Sequence, residues 1–495
     1  MKKIFSAIIL FLSSSAEAGA ASTVFTSMVT APTKDFTRAE PYEALQGGAA
    51  TSMKRINNDA FSHHAANLTF EQEMDFKIGN AFFRRLWVSA PATTQLADGL
   101  GPLYNARSCQ LCHLKDGRGH PPKANWPKDN AISLLVRLSI PPQTDEDRHR
   151  LADGRANVIA EPTYGMQLQE FAVQGHQVEG RVNVSYEERD IRLSGGDAAS
   201  LRIPIYRLTY LGYGPLHKEV MVSPRVASPM IGLGLLDAIS EEDLIKNIDI
   251  DDLNGDGISG KANEVWSFSQ NRRMLGRFGW KAGSATILDQ SADAFAHDIG
   301  ISTSVHPAGA GECTKRQEAC VKAVHGGEPK YGHVEAPDNV LNLVNFYASN
   351  LAVPNRRDAD DPTVLAGKKI FYETGCTSCH TPKYVTQKNI PGKPELSGQL
   401  IWPYTDLLLH DMGKGLADNR PEGKADGREW RTPPLWGIGL TKTVNGHTNF
   451  LHDGRARNLL EAILWHDGEA EAAKQNVIKM KPDDRRNLIR FLGSL

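Results

Sequence analysis

The sequence predicts a mainly α chain of two related helical domains, the first enlarged by a β-containing insert. Three observations predict it. The pentapeptide Cys-x-x-Cys-His occurs twice, in "RSCQLCHLKDG" at 107–117 and in "GCTSCHTPK" at 375–383. A longer segment, "RFGWKAGSATILDQSADAFAHD", recurs as "NFLHDGRARNLLEAILWHDGEA". Phe278, Trp280, Leu288 and Asp289 are matched 172 residues on by Phe450, His452, Leu460 and Glu461, the signature of an internal repeat. The stretch from His113 to Phe278 exceeds that from His380 to Phe450 by about 95 residues, and part of the surplus alternates apolar and polar residues as a strand does.

From the N-terminus, "MKKIFSAIILFLSSSAEAGA" places two lysines before an apolar run from Ile4 to Leu12 and ends in Ala16-Glu17-Ala18. That pattern predicts a secretory signal over 1–18 and an exported, periplasmic protein with no membrane span once it is removed. Residues 19–65 read as an N-terminal extension, 66–350 as the first domain with its insert, and 351–495 as the second. The boundary falls at "NLAVPNRRDADDP", where charge and proline rise between helical stretches. A formal net charge of −2 over 495 residues argues against nucleic acid or an anionic membrane as the partner. Six cysteines are too few for a disulfide scaffold of this size.

Three chemistries use Cys-x-x-Cys. A thioredoxin-like dithiol has no use for the following His, and a zinc site wants four ligands. Attachment of c-type haem needs two thiols for thioether bonds and the next His as an iron ligand. Cys109, Cys112 and His113, then Cys376, Cys379 and His380, supply that set twice. Two covalent haem c groups are expected, one in each cytochrome c-like domain. Cys313 and Cys320, in "GECTKRQEACVK", read as a loop disulfide, with a redox-active thiol pair as the alternative.

The segment "LLEAILWHDGEAEAAKQ" has the composition of a helix, on which Ala462, His466 and Ala470 share a face. The matching face in the first half carries Gln290, Ala294 and Asp298. If that face looks onto the haem, His466 closes the second site as a second iron ligand. Ala294 leaves the first open beside an amide and a carboxylate. A solvated helix face is the plainer alternative for Gln290 and Asp298.

On these residues the chain resembles the bacterial di-haem cytochrome c peroxidases and MauG-type enzymes. Trp280 stands ten residues before Gln290, the spacing those families use. The resemblance implies that Trp280 lies between the haems and that Gln290 and an acid line the open pocket. Asp298 takes the acid's part, as Asp rather than Glu and two residues early. "FLHDGRARNLLEAILWH" is similar to their C-terminal segment, with His466 where they carry a Met ligand. The chain is more closely similar to the di-haem oxidoreductase family, described as thiol oxidoreductases or peroxidases. "GPLYNARSCQLCH", "EPTYGMQLQ", "GRFGWKA", "PYTDLLLHDMG" and "EWRTPPLWGIGL" carry that resemblance over most of the chain beyond about residue 40.

The insert reads as a β-hairpin around Gly195-Gly196-Asp197 in "GRVNVSYEERDIRLSGGDAASLRIPIYRLTYL". After it, "DDLNGDGISGKAN" offers Asp252, Asn254, Asp256 and the Ile258 carbonyl as calcium ligands. Asn263 stands in place of the closing Glu, and Glu264 is a substitute ligand. An Asp/Gly-rich turn is the alternative. Opposite His113, the possible sixth ligands are His120, His217, His297, His306, Met166 and Met230. His410 and Met412 rival His466 at the second haem.

The leading function is an oxidoreductase that reduces peroxide or a similar small oxidant at the open first haem, with electrons relayed from the second. Trp280, Gln290 and Asp298 serve the reaction. The alternatives are a thiol oxidoreductase and an electron-transfer cytochrome without substrate. Bis-His ligation lowers a haem potential relative to His/Met. The second haem is then a poorer acceptor from a small cytochrome, so a thiol or another donor or acceptor stands beside it as the redox partner.

Overall fold

The structure, a computed structural model, describes residues 27–94, 97–130 and 132–495. The leader expected over 1–18 lies outside the described residues. No helix among those described is long and apolar enough to cross a membrane.

Each pentapeptide is embraced by a pair of crossing helices. In the first half, Phe70–Arg84 packs on Asp338–Ser349. Thr69 and Gln72 close its first turn as a capping box, Glu71 and Glu73 favour the positive end of the helix dipole, and Arg84 favours the negative end. In the second half, Pro362–Glu373 packs on Pro482–Ser494. Asp361 caps its start and Pro362 takes the first-turn position, where the missing N–H costs nothing.

Both crossings are made at a glycine. A Cβ on Gly79 would stand 2.2 Å from the Leu343 carbonyl oxygen, and one on Gly367 would stand 2.0 Å from that of Asn487. Four residues past each glycine, Phe83 and Phe371 reach toward the pentapeptide histidines, their ring centres 6.3 Å from His113 and 6.1 Å from His380. Each is almost fully buried, which stabilises by roughly 2–3 kcal/mol. The shared pattern "GNAFF" and "GKKIF" extends the internal repeat to the helices before the pentapeptides.

The expectation of a mainly α, plainly cytochrome c-like chain is overturned. Helix takes up 30% and strand 16%, and the strands form six two-stranded sheets among the described residues. Two of them lie in the second half: Tyr384–Val385 with Leu400–Ile401, and Leu409–Asp411 with Glu429–Arg431. Pro391, Pro394, Pro403, Pro421, Pro433 and Pro434 punctuate that stretch. No long helix runs through such spacing, so its backbone groups pair in short ladders instead.

The insert contains the expected hairpin. Arg181–Arg192 pairs antiparallel with Ala198–Thr209 from Arg181↔Thr209 to Arg192↔Ala198. Gly195 and Gly196, both at φ +86°, make its turn. Behind it, Leu134–Ser139 pairs with Met221–Val226. The hairpin lies along the second half: Tyr206 donates to Asp453 Oδ2 at 2.9 Å, and Arg485 meets Asp197 at 2.6 Å. One hydrophobic cluster accordingly spans both halves, with Leu134, Val136 and Val226 packed with Trp280, Trp430, Phe450 and Trp465.

The segment before residue 65 crosses to the second half as well. Glu43 pairs with Arg356 and, at 2.8 Å, with Lys368. Glu40 pairs with Lys368 at 2.9 Å and with Lys383. Arg356, Lys368 and Lys383 are all buried, so these carboxylates compensate cations that have left water.

Candidate active site

Both pentapeptide histidines are held in the same way. His113 Nδ1 lies 2.8 Å from the carbonyl oxygen of Ser228, and His380 Nδ1 lies 2.8 Å from that of Tyr404. A carbonyl there fixes the proton on Nδ1 and leaves Nε2 as the coordinating atom. Burial pushes each imidazole down to about 4, which keeps it neutral at physiological pH. Cys109 and Cys112 lie on the short helical turn that ends at His113, and none of the four pentapeptide cysteines is in a disulfide.

The repeat seen in the sequence is a repeat in space. Phe278 bridges Ser284 and Phe450 bridges Ala456, in matching antiparallel turns. Thr286 then caps the helix Ile287–Ala294 by accepting from Asp289 N–H, and Asn458 caps Leu459–Leu464 by accepting from Glu461 N–H. The two helices end differently. The first runs on into a π-helical turn, Phe295–Ile299, closed by Gly300 at φ +76°. The second stops at Leu464, and the single long helix expected through residue 475 is broken. Asp467 is extended and Gly468 takes φ +57° before the helix Glu471–Lys479 begins. Ala462, His466 and Ala470 therefore share no continuous helical face.

His466 is nevertheless well placed. It is half-buried, its Nδ1 lies 2.8 Å from the carbonyl of Ala462, and its charge would act on His380. Its rival His410 has both nitrogens engaged, Nε2 with Asp406 at 2.8 Å and Nδ1 with Glu469 at 2.7 Å, which leaves neither for iron. Met412 packs into the shared hydrophobic cluster.

On the first side there is a cavity of about 590 Å³, with Cys109, Cys112 and His113 on its wall. Gln290, Ala294 and Asp298 all line it, and so does Trp280. The π-turn carries Asp298 to the cavity while its main-chain carbonyl accepts from the N–H groups of Asn105 and Ala106. That ties the far wall to the segment leading into Cys109. Burial raises the Asp298 carboxyl, and its Oδ1 accepts from Gln167 Nε2 at 2.9 Å. Of the six candidate sixth ligands, Met166, Met230, His297 and His306 line the cavity. His120 instead packs against His447, and His217 Nδ1 accepts from Glu219 N–H.

The residues present fit a haem in this cavity. Besides the thiols and the His113 imidazole, Arg118 is buried on the wall, and among the described residues no carboxylate pairs with it. Its Nε has no hydrogen-bond partner, and burial pushes its guanidinium down to about 10. Such a group awaits an anion, and a haem carries two carboxylates on one edge. Arg118 also lies over two aromatic faces, 5.6 Å from the Trp280 ring centre and 5.8 Å from that of Phe450. Trp280 donates from Nε1 to the Val226 carbonyl at 2.8 Å and meets its repeat counterpart His452 at 6.4 Å. His452 stacks in turn on Trp430 at 3.8 Å.

The calcium-like loop uses its oxygens on itself. Asp252 Oδ1, Asn254 Oδ1 and Asp256 Oδ1 accept from the N–H groups of Gly257, Asp256 and Ile258. Asn263, at the closing position, is buried elsewhere, donating to the carbonyls of Lys281 and Glu422. Among the described residues no group of three or more His, Cys, Asp or Glu is placed to hold a metal ion. Cys313 and Cys320 are bonded to each other, their Cα atoms 6.0 Å apart. Asp293, Glu312, Gln167 and Arg118 are site residues that sequence reasoning missed; only Arg118, in the run after the first pentapeptide, had a local signal.

The chain belongs to the di-haem oxidoreductases: the family described as "Di-haem oxidoreductase, putative peroxidase" matches residues 42–495. That family description implies haem cofactors and oxidoreductase chemistry. No curated protein sequence matches it. Among solved structures, it is similar to the hydrazine synthase of Kuenenia stuttgartiensis pressurized with 20 bar xenon. The identity is 18% and the TM-score 0.23, over 38% of this chain and 64% of that one. The chain thus spans less than two thirds of the length of that chain.

Proposed function

We propose that the chain carries two covalent haem c groups and reduces peroxide, or a similar small oxidant, in the first cavity. Cys109, Cys112 and His113 would hold the first haem; Cys376, Cys379, His380 and His466 would hold the second. When bound, the haems supply iron-centred redox chemistry and electron storage. One observation carries the reading: at matching points of the repeat, Ala294 lines a cavity of about 590 Å³ where the second half presents the half-buried His466.

The chain's own groups supply the rest. The overall change, H2O2 + 2 e⁻ + 2 H⁺ → 2 H2O, needs protons delivered at the cavity. Asp298, its carboxyl raised by burial and oriented by the Gln167 amide, is placed to exchange protons at the cavity wall. Gln290 supplies a polar contact to the small molecule from the helix that carries Ala294. Arg118 neutralises the anionic haem edge, and Trp280 supports electron passage between the halves through its contact with His452. The electrons come from an outside donor, whether a small cytochrome, a thiol or another reductant. Export to the periplasm is part of the same proposal.

The test is stopped-flow absorbance of the fully reduced, haem-loaded protein mixed with hydrogen peroxide. Reoxidation that is rapid, first order in peroxide and abolished in Ala294→His is the expected result. Reoxidation no faster than that of Ala294→His would overturn the reading.

A further inference from the structure

We propose that Asp293, His306 and His297 on the wall of the first cavity, with Glu312 behind them, form a proton-handling array. His306 exchanges a proton with the bound small molecule, and Glu312 is the reserve behind it. The choice of peroxide rests on the function proposed above; the array itself does not.

The geometry begins with a close pair. His306 Nε2 lies 2.7 Å from Asp293 Oδ1. A carboxylate there holds the proton on Nε2 and leaves Nδ1 as the base, the logic of any acid–imidazole pair in an active site. Both residues line the cavity, Asp293 from the turn of helix just before Ala294. The pair is braced on every side. Ser284 Oγ donates to Asp293 Oδ2 at 3.3 Å, the His306 N–H is accepted by Thr303 Oγ1, and Phe268 meets the His306 ring edge-on at 5.2 Å. Burial works against the charge of Asp293. The His306 bond, with the charges of His297, His306 and Arg137, still holds it below the ordinary carboxylate range.

The second pair stands behind the first. The His297 ring, also on the cavity wall, lies 5.8 Å from that of His306, and its Nε2 lies 3.7 Å from Glu312 Oε1. Burial pushes His297 down to about 4, so it is a neutral imidazole at physiological pH, able to accept a proton on one nitrogen and yield one from the other. Glu312 is the anomaly that the rest of the fold does not explain. Its side chain is 4% exposed, and among the described residues neither carboxyl oxygen has a well-formed hydrogen bond, with only a weak pull from the Gln167 N–H. A buried, weakly partnered carboxylate is costly, and the group avoids the cost by keeping its proton. Burial pushes it up to about 8, against the opposing charges of Arg137 and Arg420 and with Asp298 adding to the rise. Arg137, from the strand Leu134–Ser139, acts on all three carboxyls and on His297.

The proton balance can be tracked with two probes. Hydrogen cyanide binds haem iron as the anion, so its proton must pass to a base in the cavity. Hydrogen peroxide takes up two protons, with two electrons from the reduced protein, to give two waters. The experiment is stopped-flow absorbance on the haem-loaded wild type, His306→Gln, Asp293→Asn and Glu312→Gln. The oxidised forms are mixed with cyanide and the reduced forms with peroxide. The expected result is a roughly 10- to 100-fold slower cyanide association in His306→Gln, a smaller loss in Asp293→Asn, and an unchanged resting spectrum in both. In Glu312→Gln the peroxide step is slow at pH 7 and no longer declines as pH rises through about 8, where the wild type loses its reserve proton.

Unchanged cyanide association in His306→Gln would overturn the array. So would a changed resting spectrum, which would make His306 an iron ligand. A wild-type pH profile in Glu312→Gln would remove Glu312 from it. Slowed cyanide binding with no peroxide reaction in the wild type would leave the array standing and overturn the choice of peroxide.

Discussion

The two halves of the molecule solve one problem twice and diverge at one point. Each crosses a helix pair at a glycine, sets a phenylalanine on an imidazole, and anchors that imidazole by a carbonyl at 2.8 Å. Each then builds a bridged turn and caps the next helix with a Thr or Asn. Past that cap the first half continues through a π-turn and lines a cavity, while the second breaks at Asp467-Gly468 and offers His466. A π-turn spends one extra residue per turn and redirects the chain beyond it, a device common at functional sites. The difference teaches that binding and reactivity are separable here: the shared parts hold a group, and the few residues after the cap decide what can reach it.

The largest expected effect comes from exchanging those residues. Ala294→His should close the first cavity and slow peroxide-driven reoxidation by about 100-fold or more, a loss of about 3 kcal/mol in transition-state stabilisation. His466→Ala should open the second site, seen as a low-spin to high-spin change in the absorbance and EPR spectra of that haem alone. If either variant changes both haems, the halves are not independent in the way their geometry implies.

Next come the crossings. Gly79→Ala and Gly367→Ala each force a methyl into a backbone carbonyl, and each should cost about 3 kcal/mol in denaturant unfolding. Equal losses would sharpen the comparison, and a loss at one alone would break it.

Glu312→Gln has a smaller and pH-dependent consequence. The folded-state pKa of Glu312 is raised to about 8 from an ordinary 4.5. The folded chain therefore binds more protons than the unfolded chain between those values, and stability falls as pH rises across that window. The variant should lack this fall. Thermal scans should show it within about 1 kcal/mol of wild type near pH 5 and more stable by about 4 kcal/mol near pH 8. An unchanged difference across that range would show that Glu312 is not held protonated.

Smallest are the caps. Thr286→Ala and Asn458→Ala each remove one N–H acceptor at the same step of the repeat, and each should cost about 1 kcal/mol by the same unfolding measurement.

The pentapeptides were legible because their chemistry is local: two thiols and an imidazole within five residues. The repeat was legible from four matched residues, and Gly79, Phe83, Gly367 and Phe371 could have extended it. The strands of the second half were not. A pentapeptide of this kind suggests a helical domain around it, and the prolines between 391 and 434 carry the contrary signal. The acids of the far wall were hidden for a different reason. Asp293 and Asp298 sit five apart on a helix that changes pitch between them, and Glu312 arrives from beyond Gly300. Periodicity cannot bring such residues together, because only the tertiary fold does.

The carboxylates Glu40 and Glu43 set an order of events. Their partners Arg356, Lys368 and Lys383 lie 313 to 343 residues further along the chain. A chain is made from its N-terminus, at about 5–20 residues per second. These two acids therefore wait in water for tens of seconds until the second half exists to receive them. The first-made segment is among the last to settle, and the second half acquires its closing counter-charges from the opposite end of the chain.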